Sequence, residues 1–462
     1  MPNRASKISG PINSSVYFLV FGLFVGVCFQ NFYVGFSVAI FGISLLFVAE
    51  RAELAHVLDV SIAVSFSVGI IAAIVLYFGY INDYGIPYWL PGLDDKELEN
   101  DAYQCVEKGY VSVYDMVNGD TPRERQHNAK GYVILLSYLI RLGEVLGGYH
   151  TFVPRALNIF ALNLVGIFAV KILVAEGCKL GKGVKTLYLV LTLFPNMVYI
   201  GAHVYRDMLA ALLLVLAYVA ASGIAKRKST VYCVLALCLM FYCAYWIRSM
   251  LIVFMAGIVI VVLLAKKADN EKGRLTVSKV ALLLAGICAV IFLLFRFGEE
   301  AGSYVSFYGN ALTSGDNALV SIIYAIPIFP LGIVLRMVAY LCTPYYYGVV
   351  YDMSIWFSST TNIAYVILSV GTVFLVSHYV YAIRGAKADK GIFFCTLIVL
   401  VGIVATTYGY RHVVMLYPFL FMLLYRGRVC VLEDDNAKRQ YGGSAIALGS
   451  LFVAAFGLMF IF

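Results

Sequence analysis

Charge is what this sequence has least of. Only 13% of its 462 residues are Asp, Glu, Lys or Arg, against 62% that are hydrophobic. Long apolar runs recur from end to end, which a soluble protein with one large core would not repeat, so the composition predicts a polytopic membrane protein. The runs avoid ionisable residues, each of which would cost roughly 3 kcal/mol at the centre of a span. Also missing are a disulfide framework and metal-type spacing among the ten cysteines, most of which lie inside apolar runs (Cys233, Cys238, Cys243, Cys288, Cys395) and act there as small hydrophobes. Short-period repeats, low-complexity tracts and a separate soluble domain are absent as well. "GCKLGKGVK" lacks the phosphate-loop spacing, and "LEDDNAKRQ" lacks the calcium-loop spacing. The net charge of +8 comes from basic residues in short loops, which set membrane orientation and are no signal for nucleic acid.

What is present is a series of helical spans, expected near 15–29, 31–49, 59–80, 153–174, 186–203, 207–225, 230–246, 249–265, 277–295, 360–383, 391–408, 410–426 and 443–461. The first run, "VYFLVFGLFVGVCF", follows Arg4 and Lys7 as in a signal peptide. It has no small-residue cleavage site, and a second run begins at Asn31, so a retained transmembrane helix is expected. Two further stretches, 131–149 (with Arg141 and Glu144) and 318–342 (with Pro327, Pro330 and Arg336), carry charges or prolines and are expected as interfacial or re-entrant helices. With the N-terminus in the cytoplasm, the loops "KLGKGVK", "AKRKST", "KKADNEKGR", "RGAKADK" and "RGRVC" are cytoplasmic and basic. Residues 81–130, with ten acids against five bases, then fall outside. The expected fold is therefore all-α: one integral membrane domain over 1–462, a bundle of about thirteen spans. It has a first extracytoplasmic loop at 81–152 and a second large extracytoplasmic segment at 296–353.

The first external loop is where charge concentrates. "YWLPGLDDKELENDAYQC" (88–105) holds Asp94, Asp95, Glu97, Glu99 and Asp101 in eight positions, after a Pro-Gly turn and with helical spacing. A carboxylate at a helix start near the membrane surface is placed to act as a general base; the alternative is a solvated acidic helix with an N-cap. Asp207 is a second acid, or the ion-pair partner of Arg206 at a helix end. Arginines at the outer face offer a planar fork to phosphate: Arg411, with His412 beside it, leads, ahead of Arg248, Arg296 and Arg336, since helix-end arginines also snorkel. The tyrosines of "YLCTPYYYGVVYDMSIW" (340–356) read as an interfacial aromatic belt.

The order of these features resembles the GT-C superfamily of membrane glycosyltransferases, which includes lipid-linked-sugar enzymes related to protein mannosyltransferases and lipid A aminoarabinose transferases. The matching features are Asp94-Asp95, the 131–149 segment, Arg155 with Asn158, Pro195, and Arg206-Asp207. They span roughly residues 60–225, with a weaker echo near 405–425. The chain departs from the pattern in having Asp-Asp for Asp-Glu, two extra leading helices, and "QHNAKGYVILL" (126–136) in place of Pro-Pro-Leu. The resemblance implies sugar transfer from a polyprenyl-phosphate-linked donor to a hydroxyl of a lipid-linked or glycan acceptor, inverting. No cofactor or metal site is expected, because Asp94 and Asp95 alone supply too few ligands, although some relatives in the superfamily use a divalent ion. It makes Asp94 the first choice for base, with Asp95 next and Asp207 positioning the acceptor. Arg411, His412, Arg206, Arg336, Lys130 and His127 are the implied contacts of the donor phosphate. The implied setting is the cytoplasmic (inner) membrane of a bacterium, among membrane lipids, with the site facing the periplasm, in surface polysaccharide or lipopolysaccharide synthesis. Two other readings remain: an O-antigen or capsule polymerase or ligase, and a lipid-linked oligosaccharide flippase without catalysis. The flippase reading expects related halves and mid-membrane charges, which the sequence does not display.

Overall fold

The structure, a computed structural model, describes residues 9–119, 129–226, 229–270, 323, 326, 331–406, 411–433 and 435–461. Helices and their connecting turns make up the described residues, with no strand among them. Among the described residues, seven helices are long and apolar enough to cross a membrane, or eight if one bent pair counts as a single span. Shorter apolar helices lie at 14–29, 251–265 and 390–405. The expected span at 277–295 lies outside the described residues.

The chain divides into two compact units. The first runs to Leu212 and adds Trp246–Arg248 and Ser359–Thr361; the second takes the rest. In the first unit α1 (Ser9–Phe29) and α2 (Phe32–Arg51) form a hairpin. The hairpin closes because glycines face each other across it: a Cβ on Gly22 would stand 2.6 Å from the Gly35 carbonyl oxygen. Asn31 fixes the turn, accepting from the Val34 amide at 3.0 Å and donating to the Gly148 carbonyl at 3.1 Å. α2 and α3 (Ala55–Tyr84) both pack on α7 (Phe152–Ala175), whose inner residues from Phe152 to Leu173 are almost all buried.

A 30-residue helix such as α3 is about 45 Å long, well beyond a hydrocarbon core of about 30 Å. Its far end carries Asn82 and Asp83. There Asp83 accepts from the backbone N–H of Thr360 at 2.7 Å, while Tyr84 and Thr361 share a hydroxyl hydrogen bond of 2.8 Å. Proline accounts for the one departure within the unit from the expected spans. The stretch expected at 186–203 is split into α8 (Lys182–Thr192) and α9 (Pro195–Gly201), bent by 51°. Pro195 opens α9, where its missing N–H is not needed, and removes the donor that would have continued α8.

Between α3 and α7 the chain leaves the spans. α4 (Asp94–Glu107) and α6 (Lys130–Val145) pack together through Ala102, Cys105, Tyr132, Val133, Leu136 and Ile140. The short α5 (Val113–Asn118) adds Met116, its start locked by a reciprocal Ser112–Asp115 capping box. The outer face of α6 exposes Tyr138, Leu142 and Val145, the apolar stripe of a helix lying at an interface, and none of α4–α6 meets the test for a span.

The second unit includes most of α10 (Asp207–Ala225), α11 (Thr230–Ile247), α12 (Leu251–Asn270) and the later spans. Its tightest crossing joins the helices Ala382–Ala388 and Tyr417–Leu432. A Cβ on Gly385 would collide with the Leu423 carbonyl, and one on Gly427 with the Tyr381 carbonyl, so backbone lies on backbone. The expected span at 410–426 begins later than anticipated. His412–Met415 is a 3₁₀ turn, and the α-helix opens at Tyr417 with Pro418 in its first turn.

Candidate functional site

α4 inverts the usual amphipathic pattern. Residues 95, 99, 102 and 105 share one helical face, and that face is buried, yet its first two members are Asp95 and Glu99, 0% and 1% exposed. Asp94, one position away, is exposed. No side chain caps this helix, and Asp94, Asp95 and Glu97 fill its first turn, where the free N–H groups favour negative charge.

Glu99 is the better satisfied of the two buried acids. Tyr88 and Thr151 each donate a hydroxyl to Oε2 at 2.6 Å, and the Tyr149 hydroxyl makes a very short hydrogen bond to Oε1. Each of those hydroxyls brings its own proton, the pattern a carboxylate accepts and a carboxylic acid does not need. Burial and the Glu99 charge hold the Tyr88 and Tyr149 phenols far above their ordinary range, so they remain donors. Arg155, 2% exposed, stands behind them. Its Nη1 donates to the Thr151 hydroxyl at 2.9 Å and to the Thr151 carbonyl, its Nη2 donates to the Pro87 carbonyl, and the Tyr77 and Tyr88 rings flank it at 5.6 and 5.4 Å. With both terminal nitrogens engaged in this way, Arg155 supplies a fixed positive charge beside the two acids.

Asp95 is the unsatisfied one. Its Oδ1 accepts from the backbone N–H of Lys96 at 2.9 Å, while its Oδ2 is buried with no hydrogen-bond partner among the described residues. Burial is the dominant influence and raises its pKa from 3.8 to about 7, against the opposing pull of Arg155 and with a further push from Glu99. A carboxyl group that is half protonated at neutral pH, with one open oxygen, is poised to take a proton from a hydroxyl.

A second polar layer supports α7. Asn158 is wholly buried and donates to the carbonyls of His203 and Tyr205 at 2.7 and 2.8 Å, tying α7 to the segment before α10. His203 donates from Nδ1 to the Tyr199 carbonyl at 2.7 Å, and Nε2 lies 3.1 Å from the Tyr80 hydroxyl. Burial drives its pKa down to about 3, so the ring is neutral and Nε2 accepts. His150 is likewise neutral, pushed down to about 4 by burial, and its Nδ1 receives the Phe152 amide at the start of α7.

The remaining expected residues divide by unit. In the first, Asp207 is buried and forms an ion pair with Arg248 at 3.3 Å, while Arg206 donates to the Ile247 carbonyl at 2.9 Å. Lys130 opens α6 almost fully buried, and desolvation lowers its pKa. His127 lies outside the described residues. In the second unit His412 is buried, Arg411 is half-buried just before the 3₁₀ turn, and Arg336 is buried with Nη2 3.4 Å from the Ile326 carbonyl. No group of three or more His, Cys, Asp or Glu among the described residues could hold a metal ion.

Glu99, Tyr88, Tyr149, Thr151 and His203 were not singled out from the sequence for any role at the site. One signal was available: the 3.6-residue period puts Glu99 on the same face as Asp95, Ala102 and Cys105. Compared with protein-family models, with curated proteins and with solved structures, the chain matches none.

Proposed function

We propose that this protein is an integral-membrane glycosyltransferase whose general base is Asp95. It would move a sugar from a polyprenyl-phosphate-linked donor to a hydroxyl of a lipid-linked or glycan acceptor, at the outer face of a bacterial cytoplasmic membrane. The proposal carries with it a GT-C-like bundle of about thirteen spans with a cytoplasmic N-terminus. One observation supports it above the others: a wholly buried carboxyl with an open oxygen and a pKa of about 7, on a helix outside the candidate spans.

The step balances without a cofactor. The acceptor hydroxyl attacks the anomeric carbon as its proton passes to Asp95 Oδ2. The bond from that carbon to the donor phosphate oxygen breaks on the opposite face, and the sugar inverts. The departing lipid phosphate is a stable anion, so it needs cationic stabilisation more than an acid. Lys130 suits that role, because an arriving phosphate would restore the charge that burial disfavours. Within the same unit Arg206 joins the proposed set, with Asp207 orienting the acceptor. Asp95 is fully covered at rest, so turnover requires an opening that uncovers it.

The test is transfer from a panel of radiolabelled polyprenyl-phosphate sugars by the parent, Asp94→Asn and Asp95→Asn. Loss of turnover with retained donor binding is expected for D95N alone; robust turnover in D95N would end the assignment. A buried acid that titrates near neutrality beside an arginine also suits proton-coupled movement of a lipid-linked glycan, the flippase reading. A parent inert with every donor, yet active in pH-driven glycan translocation in vesicles, would favour that second reading.

A further inference from the structure

We propose that Glu99 is a positioning residue for Asp95, a fixed negative charge one helical turn away that tunes Asp95 as a proton acceptor and does no chemistry itself. The proposal deepens the glycosyltransferase reading and rests on it for its functional meaning.

The geometry assigns the two acids opposite conditions on one face of α4. Glu99 accepts from three hydroxyls supplied by two places in the chain: Tyr88 in the loop before α4, and Tyr149 and Thr151 just before α7. The Thr151 hydroxyl accepts from Arg155 and donates to Glu99, so one hydroxyl bridges cation and anion. Asp95 has only backbone amides on its carboxyl and, among the described residues, one oxygen without a hydrogen-bond partner. The open oxygen of Asp95 is therefore the better place for a substrate proton: Glu99 already accepts from three hydroxyls, and its charge, at i+4, opposes ionisation of Asp95.

Among the described residues, the charged groups around Asp95 are few. From α7 comes Arg155; on α4 itself lie Glu99, Asp94, Glu97 and Lys96; from α6 come Lys130 at its start, and Arg141, which binds the Tyr110 carbonyl at the far end of α4. The preceding loop and the 149–151 segment present only Tyr88, Tyr149 and the neutral His150. Arg155 and Glu99 are the opposed pair that acts on Asp95. With Arg155 neutralising Glu99, a protonated Asp95 leaves the buried trio uncharged, and an ionised Asp95 leaves it with one net negative charge.

The experiment is an infrared pH titration of the purified full chain, following the protonated-carboxyl band that disappears in Asp95→Asn. In the parent this band titrates near pH 7. In Glu99→Gln its midpoint is expected to fall by about one pH unit or more, from removal of a like charge at helical i+4 distance. In Glu99→Asp, which keeps the charge, the midpoint stays within a few tenths of the parent. A folded E99Q with an unmoved or raised midpoint overturns the proposal, because a merely structural Glu99 would alter melting and leave the titration in place. If E99Q does not fold, the shorter pair E99D and E99N makes the same comparison of charge at constant shape. No substrate enters the titration. A shifted midpoint, with a parent that transfers no sugar from any donor, would leave this inference standing and remove the enzyme reading; a rate that does not follow the midpoint would remove Asp95 as the base.

Discussion

Replacing Asp95 with Asn should make the protein more stable, and only above a definite pH. The substitution keeps the shape and the oxygen that accepts from Lys96, and it removes a charge the interior disfavours. Burial raises the acid from 3.8 to about 7, a difference of roughly 3 pH units, which at 1.36 kcal/mol per unit is about 4 kcal/mol. The sign follows from linkage. A group whose folded pKa is raised contributes fully below its unfolded value, and the contribution drains away as pH rises through the folded value. Parent and D95N should thus melt together near pH 4. The gap should open between pH 4 and 7, with D95N the more stable, and level off by pH 8. The melts can be followed by the fluorescence of the three tryptophans, Trp89, Trp246 and Trp356, in detergent. A gap of constant size from pH 4.5 to 8.5, or a D95N that melts below the parent at pH 8, would refute the burial argument. In the same preparations turnover of the parent should rise through pH 7, and D95N should be inactive throughout.

Other substitutions test the surroundings. Arg155→Ala leaves Glu99 buried without its cation and should destabilise by about 3–5 kcal/mol, read as a large fall in melting temperature; a melt near that of the parent would show that the pair is not what holds the loop. Asn158→Ala leaves the His203 and Tyr205 carbonyls without their donor and should cost about 2–4 kcal/mol in the same assay, with an unchanged melt counting against the strut. Gly427→Ala drives a methyl into the Tyr381 carbonyl and should lower folded yield or melting markedly. Gly442→Ala, with nothing within 4 Å, should be neutral or slightly stabilising as a helical alanine. Equal effects at 427 and 442 would refute the close crossing.

Hydropathy made the spans legible, because each must bury its own backbone polar groups and so declares itself in a local run of about twenty residues. The break at Pro195 was readable in principle from the missing donor, but composition alone merged the two halves. The acidic loop stood out by charge density, and its helical spacing was visible. Which acid of the pair is buried was not: Asp94 and Asp95 differ only by the 100° turn between neighbours, and the direction of the core is set by α6 and α7. The partners of Glu99 lie 11, 50 and 52 residues away in sequence. Their convergence depends on the path of the whole 85–155 segment, which no local pattern encodes. Arg155 was noticed, but as part of an order of motifs; that its terminal nitrogens bind Thr151 and Pro87 is a tertiary fact.

The contact between Asp83 and Thr360 sets a timetable for biogenesis. The first unit is made largely from the chain up to Leu212, but it also takes in residues 246–248 and 359–361. From Leu212 to Thr361 the ribosome adds 149 residues, which at 5–20 residues per second takes roughly 7 to 30 s. During that interval the end of α3 waits in the translocation machinery with its aspartate unanswered, and Asp207 waits for Arg248. The loop that carries Asp95 is synthesised early, yet the unit that houses it is finished only when later parts of the chain arrive to close it. Chains arrested before residue 361 should therefore be the ones that membrane quality control removes.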